Sequence, residues 1–216
     1  MGKAGEINFC FLVEDHEATR NWLVGMLSEV FPKASVVAAG SLADARRLLS
    51  DHLAKGDFPD IALIDLGLPD GSGLDLIGHF VSLSPQTKRI VTTTYGDDAY
   101  LLKAISAGAQ GYLLKEEEGA RLAQTLRRIE RDEPPLSPSI ARRMLMHFGD
   151  AGGADQPETD EADLTSRERE TLTLLARGLT VGEVAAQLGL SPHTVASYAK
   201  IIYQKLHVTS RAEATR

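Results

Sequence analysis

Residues 62–73 read ALIDLGLPDGSG, and the apolar run Ile61 to Ile64 that enters this stretch ends abruptly on Asp65. Four other short apolar runs share that design: Ile7 to Val13, Ser35 to Ala39, Ile90 to Thr94 and Gly111 to Leu114. Between them lie helical spacings such as Trp22, Leu23, Met26, Leu27 and Val30, or Leu42, Ala45, Leu48 and Leu49. Nearly continuous apolar strands separated by amphipathic helices predict a parallel sheet covered on both faces, a doubly wound α/β domain. In such sheets ligands bind outside the carboxyl ends of the strands, so the residues that close each run are the candidates for chemistry.

Those closing residues are polar. The first run ends in Glu14-Asp15, the third in Asp65, the fourth in Thr93-Thr94 and the fifth in Lys115. Three carboxylates gathered at one sheet edge repel by about 4 kcal/mol per pair at roughly 4 Å in an effective dielectric near 20. A cation must offset that repulsion. Hard oxygen donors, few in number, suit Mg²⁺, which keeps several waters and shares phosphate oxygens with its site. Lys115 adds a positive point charge for an anion and Thr93 a hydroxyl donor. The set describes a place where Asp65 attacks a phosphoryl group while cations neutralise the developing charge.

The remainder of the chain has a different character. The whole is 216 residues with a net charge of −7, yet residues 164–216 alone carry 7 basic against 4 acidic side chains. Residues 1–130 carry 13 against 18, and residues 131–163 carry 3 against 8. Only the last segment attracts a polyanion. The middle segment, rich in proline and glycine and closed by the acidic run Asp155 to Asp163, reads as a linker with a mobile second half. Within it Ile140, Met144, Leu145 and Phe148 predict a short amphipathic helix. These shifts divide the chain into residues 1–130, a linker at 131–163 and a C-terminal domain at 164–216.

That last domain reads as four short helices starting near 166, 181, 192 and 211. Thr165 with Glu168, Thr180 with Glu183 and Ser210 with Glu213 fit capping boxes; Gly178 and Gly189 fit C-caps, and Ser191-Pro192 fits a helix start. On the third helix Val195, Ala199, Ile202 and Leu206 form a core stripe. His193, Ser197, Lys200 and Gln204 face outward with Ala196 at the flank, a small polar surface that suits a major groove. The single cysteine, Cys10, rules out an internal disulfide and indicates a reducing compartment. No apolar run reaches the 18 or so residues of a membrane span, so a cytoplasmic protein is expected.

The stretches FLVEDH (11–16), ALIDLGLPDGSG, IVTTTYGDD (90–98) and GYLLKEE (111–117) resemble the receiver domain of two-component response regulators over roughly residues 7–130. Residues 164–214, LTSRERETLTLLARGLTVGEVAAQLGLSPHTVASYAKIIYQKLHVTSRAEA, resemble the LuxR-type tetrahelical helix-turn-helix. Together the chain is similar to response regulators of the NarL/FixJ family, not to an enzyme. The resemblance implies a flavodoxin-like five-stranded domain in which a histidine kinase phosphorylates Asp65. It implies Mg²⁺ on Asp15, Asp65 and the Gly67 carbonyl, with Glu14 assisting through water. Thr93 and Lys115 would hold the phosphoryl oxygens, and Tyr112 would be the aromatic switch. Thr194, Ser197 and Lys200 would lie on the DNA-reading helix, and promoter DNA, bound by a phosphorylated homodimer, would be the target.

Several positions depart from the family pattern. Thr94 replaces a small alanine, and Glu116 follows Lys115 where many receivers have proline. Gly182 and Ala196 stand where many relatives carry lysine, and Tyr198 where they carry histidine, which predicts modest DNA affinity per domain. The last helix is expected to be cut short at Arg216. Two other functions are open to the sequence. A regulator working through protein contacts without phosphate would account for Thr94, Gly182 and Ala196. A dehalogenase-like phosphatase would share the strand-end aspartate, but needs an acid at position 67, which is glycine.

Overall fold

The computed structural model describes residues 6–94, 98–115, 119–131, 133, 135–150 and 164–214. Five parallel strands, β1 (Phe9–Val13), β2 (Ser35–Ala39), β3 (Ile61–Ile64), β4 (Lys88–Thr93) and β5 (Gly111–Leu114), form one sheet in the order β2-β1-β3-β4-β5. The expected doubly wound α/β domain is therefore present. Each strand except the edge β2 is nearly all buried, as its unbroken apolar run requires.

Alternation along the strands divides the core. Cys10, Leu12, Leu63, Ile90 and Leu113 pack with helices α1 (Glu17–Val30) and α5 (Gly119–Arg127). Phe11, Val13, Ala62, Ile64, Val91 and Tyr112 face the opposite side, in a cluster with residues of α2 (Leu42–Leu53), α3 (Gly73–Leu83) and α4 (Asp98–Ala107). Burial pushes the Cys10 thiol up to about 12, which leaves it a packed, inert side chain. Beyond β5 the chain returns along the sheet edge, where Leu136 pairs in parallel with Tyr112.

The linker helix is α6 (Pro138–Asp150), with Ile140 and Met144 buried and Leu145 packed against them. The Phe148 side chain and the acidic run to Asp163 lie outside the described residues. The C-terminal domain holds α7 (Ser166–Ala176), α8 (Val181–Leu188) and α9 (Pro192–Ala214). Reciprocal capping boxes start α7 at Thr165/Glu168 and α8 at Thr180/Glu183, and Gly189 ends α8 at φ 68°. The separate helix expected near 211 is instead the end of α9. After Pro192 no glycine or proline interrupts the sequence up to Ala214, so nothing supplies the left-handed cap that a break requires.

The two halves share a core. The cluster on the α2–α4 side of the sheet continues through Ile140 and Met144 into Leu172, Val184, Val195, Ile202 and Leu206. The contacts responsible are α6 against α7 and α9 against α4.

Candidate functional site

The parallel ladder extends one residue past the strands and aligns the site. Glu14 N–H donates to the Ala39 carbonyl at 3.0 Å, Asp65 N–H to Val13 at 2.9 Å, and Lys115 N–H to Thr93 at 3.0 Å. Residues far apart in sequence thereby arrive together at the carboxyl edge. Carboxylate oxygens of Glu14, Asp15 and Asp65 lie within 4.8 Å of one another. Asp65 is 6% exposed and Glu14 1%, whereas Asp15 is exposed. The site is a recess with one carboxylate at its mouth.

Lys115 reaches into this recess. Its Nζ lies 2.6 Å from Asp65 Oδ2 and also pairs with Glu14. Burial, opposed in part by Lys115, holds the Glu14 carboxyl above the usual range. Two acids and one lysine in so little solvent form a charge set with room for more positive charge, and the all-oxygen donor set suits Mg²⁺. Gly67 N–H donates to Asp65 Oδ1 at 3.4 Å, so the backbone just after the strand folds back on the Asp65 side chain. Thr93 closes β4 and is fully buried, Thr94 is exposed just beyond the strand, and Tyr112 is fully buried on β5.

Two supporting residues carry no signal of this role in their spacing. Arg20 on α1 donates from Nη1 to the carbonyls of Glu14 and Asp15 at 2.8 and 3.0 Å, which fixes the acid pair. Gly73 starts α3 so close to the site that an added Cβ would lie 2.0 Å from the Asp65 carbonyl oxygen. The glycines after Asp65 in the sequence were the available hint of close backbone approach. His16 serves as the α1 N-cap, its Nδ1 accepting from Thr19 N–H.

The outward residues predicted on the third C-terminal helix also come together, on α9, and one flank of that helix is covered. Val195, Ala199, Ile202 and Leu206 are buried as expected. His193 and Gln204 are exposed and Thr194, Ser197 and Lys200 half-exposed, so the five candidates share the outer side of α9. Thr194 shares a hydroxyl contact of 2.8 Å with Ser191, and Ser197 Oγ donates to the His193 carbonyl at 2.9 Å. Ala196, expected at an open flank, is only 4% exposed. Tyr203, at nearly the same helical azimuth, is 6% exposed and donates from its hydroxyl to the Pro135 carbonyl at 3.2 Å. Ala196 is thus on a packed side of the helix, the side on which Tyr203 reaches the Pro135 carbonyl, while α9 also packs along α4.

Comparison with known proteins gives two family matches. Residues 10–127 match the response regulator receiver domain, and residues 162–216 match the bacterial regulatory proteins of the luxR family. The chain is 33% identical over 205 residues to the DNA-binding transcriptional activator DevR/DosR of Mycobacterium tuberculosis, covering 94% of this chain and 90% of that one. It is 29% identical over 205 residues to the oxygen regulatory protein NreC of Staphylococcus carnosus, covering 94% and 92%. Among solved structures, a LuxR-family two-component response regulator from Aurantimonas is 29% identical over 65% of this chain and 97% of that one, with a TM-score of 0.57. The RcsB response regulator of Salmonella typhimurium shares the fold across 94% of this chain and 93% of its own, at 24% identity and a TM-score of 0.56.

Proposed function

The chain belongs to the two-component response regulators that join a receiver to a luxR-type DNA-binding domain, and on that premise we propose that a partner histidine kinase phosphorylates Asp65 to control dimerisation and promoter binding. The working division is a receiver at 1–130, a linker at 131–163 and a DNA-binding domain at 164–216. The observation that carries the reading is the recessed Asp65 carboxylate, 2.6 Å from Lys115 and grouped with Glu14 and Asp15.

An Asp65 oxygen attacks the phosphorus of a phosphohistidine, the phosphorus–nitrogen bond breaks, and imidazole leaves. Asp15, Asp65 and the Gly67 carbonyl would hold Mg²⁺, with Glu14 assisting through water. When bound, the ion offsets charge on the transferring phosphoryl oxygens. Lys115 pairs with one such oxygen in place of its carboxylate contacts, and the Thr93 hydroxyl donates to another. Arg20 and Gly73 keep the acids and Asp65 in position throughout. Movement of Thr93 towards the phosphoryl group is then coupled to Tyr112 on the next strand, and the population shifts from a form with α9 against α4 to one that dimerises and reads DNA through His193, Thr194, Ser197, Lys200 and Gln204.

DNA binding by the full-length protein at two salt concentrations, with and without beryllofluoride plus Mg²⁺, tests the proposal. The phosphoryl mimic is expected to tighten salt-sensitive binding in the parent and leave Asp65→Ala unchanged. Binding indifferent to the mimic in both would overturn it. Burial of Ala196 and Tyr203 favours one second reading, a regulator acting mainly through protein contacts without phosphate. That reading expects weak, salt-insensitive DNA association.

A further inference from the structure

Between receiver and linker helix, residues 135–137 make a connection that neither the phosphoryl site nor the reading face accounts for. Leu136 continues the sheet beyond β5 by pairing in parallel with Tyr112. The Pro135 carbonyl accepts two donors from different domains: the backbone N–H of Tyr112 at 3.4 Å and the hydroxyl of Tyr203 at 3.2 Å. A carbonyl has two lone pairs, and both are engaged in a place where Pro135 and Tyr203 are buried. One backbone atom therefore ties the switch strand to the helix that carries the reading face.

The seat for this atom is built into the strand. A Cβ at Gly111 would lie 2.3 Å from Pro135 Cγ and 3.2 Å from the Pro135 oxygen. The proline ring is rigid, so it cannot swing away as a flexible side chain would. Only glycine at 111 lets the segment settle on the strand edge. Ser137, also buried, then caps α6 through its hydroxyl, 3.5 Å from Ile140 N–H. At the far side of α6, Arg142 donates to the Ala176 carbonyl at 2.8 Å, at the end of α7. Among the described residues, β5, the segment 135–137, α6 and α7 are thus joined in turn.

We propose that residues 135–137 form a strap and Tyr203 its latch, so that displacement of β5 is passed to α9 through the shared Pro135 carbonyl, by the backbone of Tyr112 rather than by its ring alone. The inference rests on the switch reading for its biological use. As a physical element it stands on the Gly111 seat and the paired donors. Burial also raises the Tyr203 phenol above its ordinary value, so the hydroxyl keeps its proton throughout the physiological range. Strap release frees the side of α9 that holds Ala196 and Tyr203, which the docked form covers.

The test uses full-length Tyr203→Phe and Gly111→Ala. The first removes one hydroxyl, and the second disturbs the seat from the receiver side without touching α9. Amide hydrogen exchange of the unphosphorylated proteins is the primary readout because it needs neither phosphate nor DNA. Tyr203→Phe is expected to speed exchange at Tyr112, Leu136 and along α9 roughly fivefold, the effect of one ordinary hydrogen bond. Gly111→Ala is expected to act at the same amides and more strongly. Both should bind a random-sequence duplex at low salt more tightly than the parent without beryllofluoride, and should gain less on its addition. Unchanged protection at these amides in Tyr203→Phe, together with protection lost only globally in Gly111→Ala, overturns the strap. If exchange responds as expected but the parent's DNA binding ignores beryllofluoride, the strap stands and the phosphorylation reading fails.

Discussion

The Asp65 recess and the outer side of α9 differ in how many parts of the fold must agree to make them. Asp65, Glu14, Asp15, Thr93 and Lys115 come from four strand ends, and sheet register brings them to one edge. The face proposed to read DNA comes from one helix, one flank of which is buried, and that helix also contacts a helix of the receiver. The recess is fixed by local ladders within one sheet; one flank of α9 is buried by packing, and in the proposed switch that packing is what opens. A composite site is in this sense the more rigid of the two, and changes to it should cost stability, whereas changes to the reader should alter binding.

The largest effect is expected at Lys115. Lys115→Ala leaves Glu14 and Asp65 together in a recess with no cation, and breaking a buried pair on one side costs about 3–5 kcal/mol. Urea unfolding should show that loss, and Mg²⁺ should restore more stability to the variant than to the parent. Equal stabilisation of both by Mg²⁺ would mean that the lysine and the ion do not answer the same negative charge. Gly73→Ala sharpens the same contrast with no change of charge. Its Cβ would meet backbone at 2.0 Å, so the start of α3 must move, at about 2–3 kcal/mol by analogy with overpacked cores. A stability loss under about 0.5 kcal/mol, taken from the urea midpoint and slope, would show that Asp65 is held less tightly than the ladder implies.

Legibility in the sequence follows the same division. Asp65 and Lys115 could be found because each closes an apolar run, and a parallel sheet sends all such ends to one edge. The stripe Val195, Ala199, Ile202 and Leu206 was equally legible, since periodicity within one helix encodes its own core. Ala196 was not. Helical projection gives its azimuth but contains nothing about which neighbours pack on that azimuth, so a buried residue read as the flank of an outward face. Continuation of α9 past Leu206 was missed for a related reason: a break was inferred from a Ser210/Glu213 cap pattern, while absence of glycine was the stronger fact. The Tyr112–Leu136 pairing had no periodic signature because a single residue pair has no period.

Ala196→Lys tests the reader side directly, with a smaller expected effect. A lysine at a position 4% exposed cannot stay on the packed side of α9 without extending to water, so it favours a form in which that side opens. It also adds one cation near the groove-facing residues. The dependence of log binding constant on log salt should steepen by about one, and the gain from beryllofluoride should shrink. An unchanged salt slope and an unchanged gain would place residue 196 away from both α4 and DNA.

The smallest effect isolates the C-terminal core from the interface. Lys205 on α9 lies 2.8 Å from Glu168 Oε2 on α7, and both side chains are largely buried. Burial opposes the Glu168 charge, but Lys205 and the Thr165 cap outweigh it and hold the carboxyl below its usual range. A depressed folded value means that the charge contributes stability above the ordinary glutamate value near 4.3, lost as pH falls through the folded value. Glu168→Gln keeps the capping geometry and removes the charge, so it should cost about 1–2 kcal/mol at neutral pH. The difference from the parent should shrink as pH drops below about 4. Because this pair joins α9 to α7 and not to α4, the beryllofluoride response should survive it. A difference that is constant with pH would assign the cohesion of α7 and α9 to the apolar stripe alone. A lost beryllofluoride response would mean that α9 cannot leave α4 as a unit with its own domain, and the contrast between a rigid recess and a movable reader would fail.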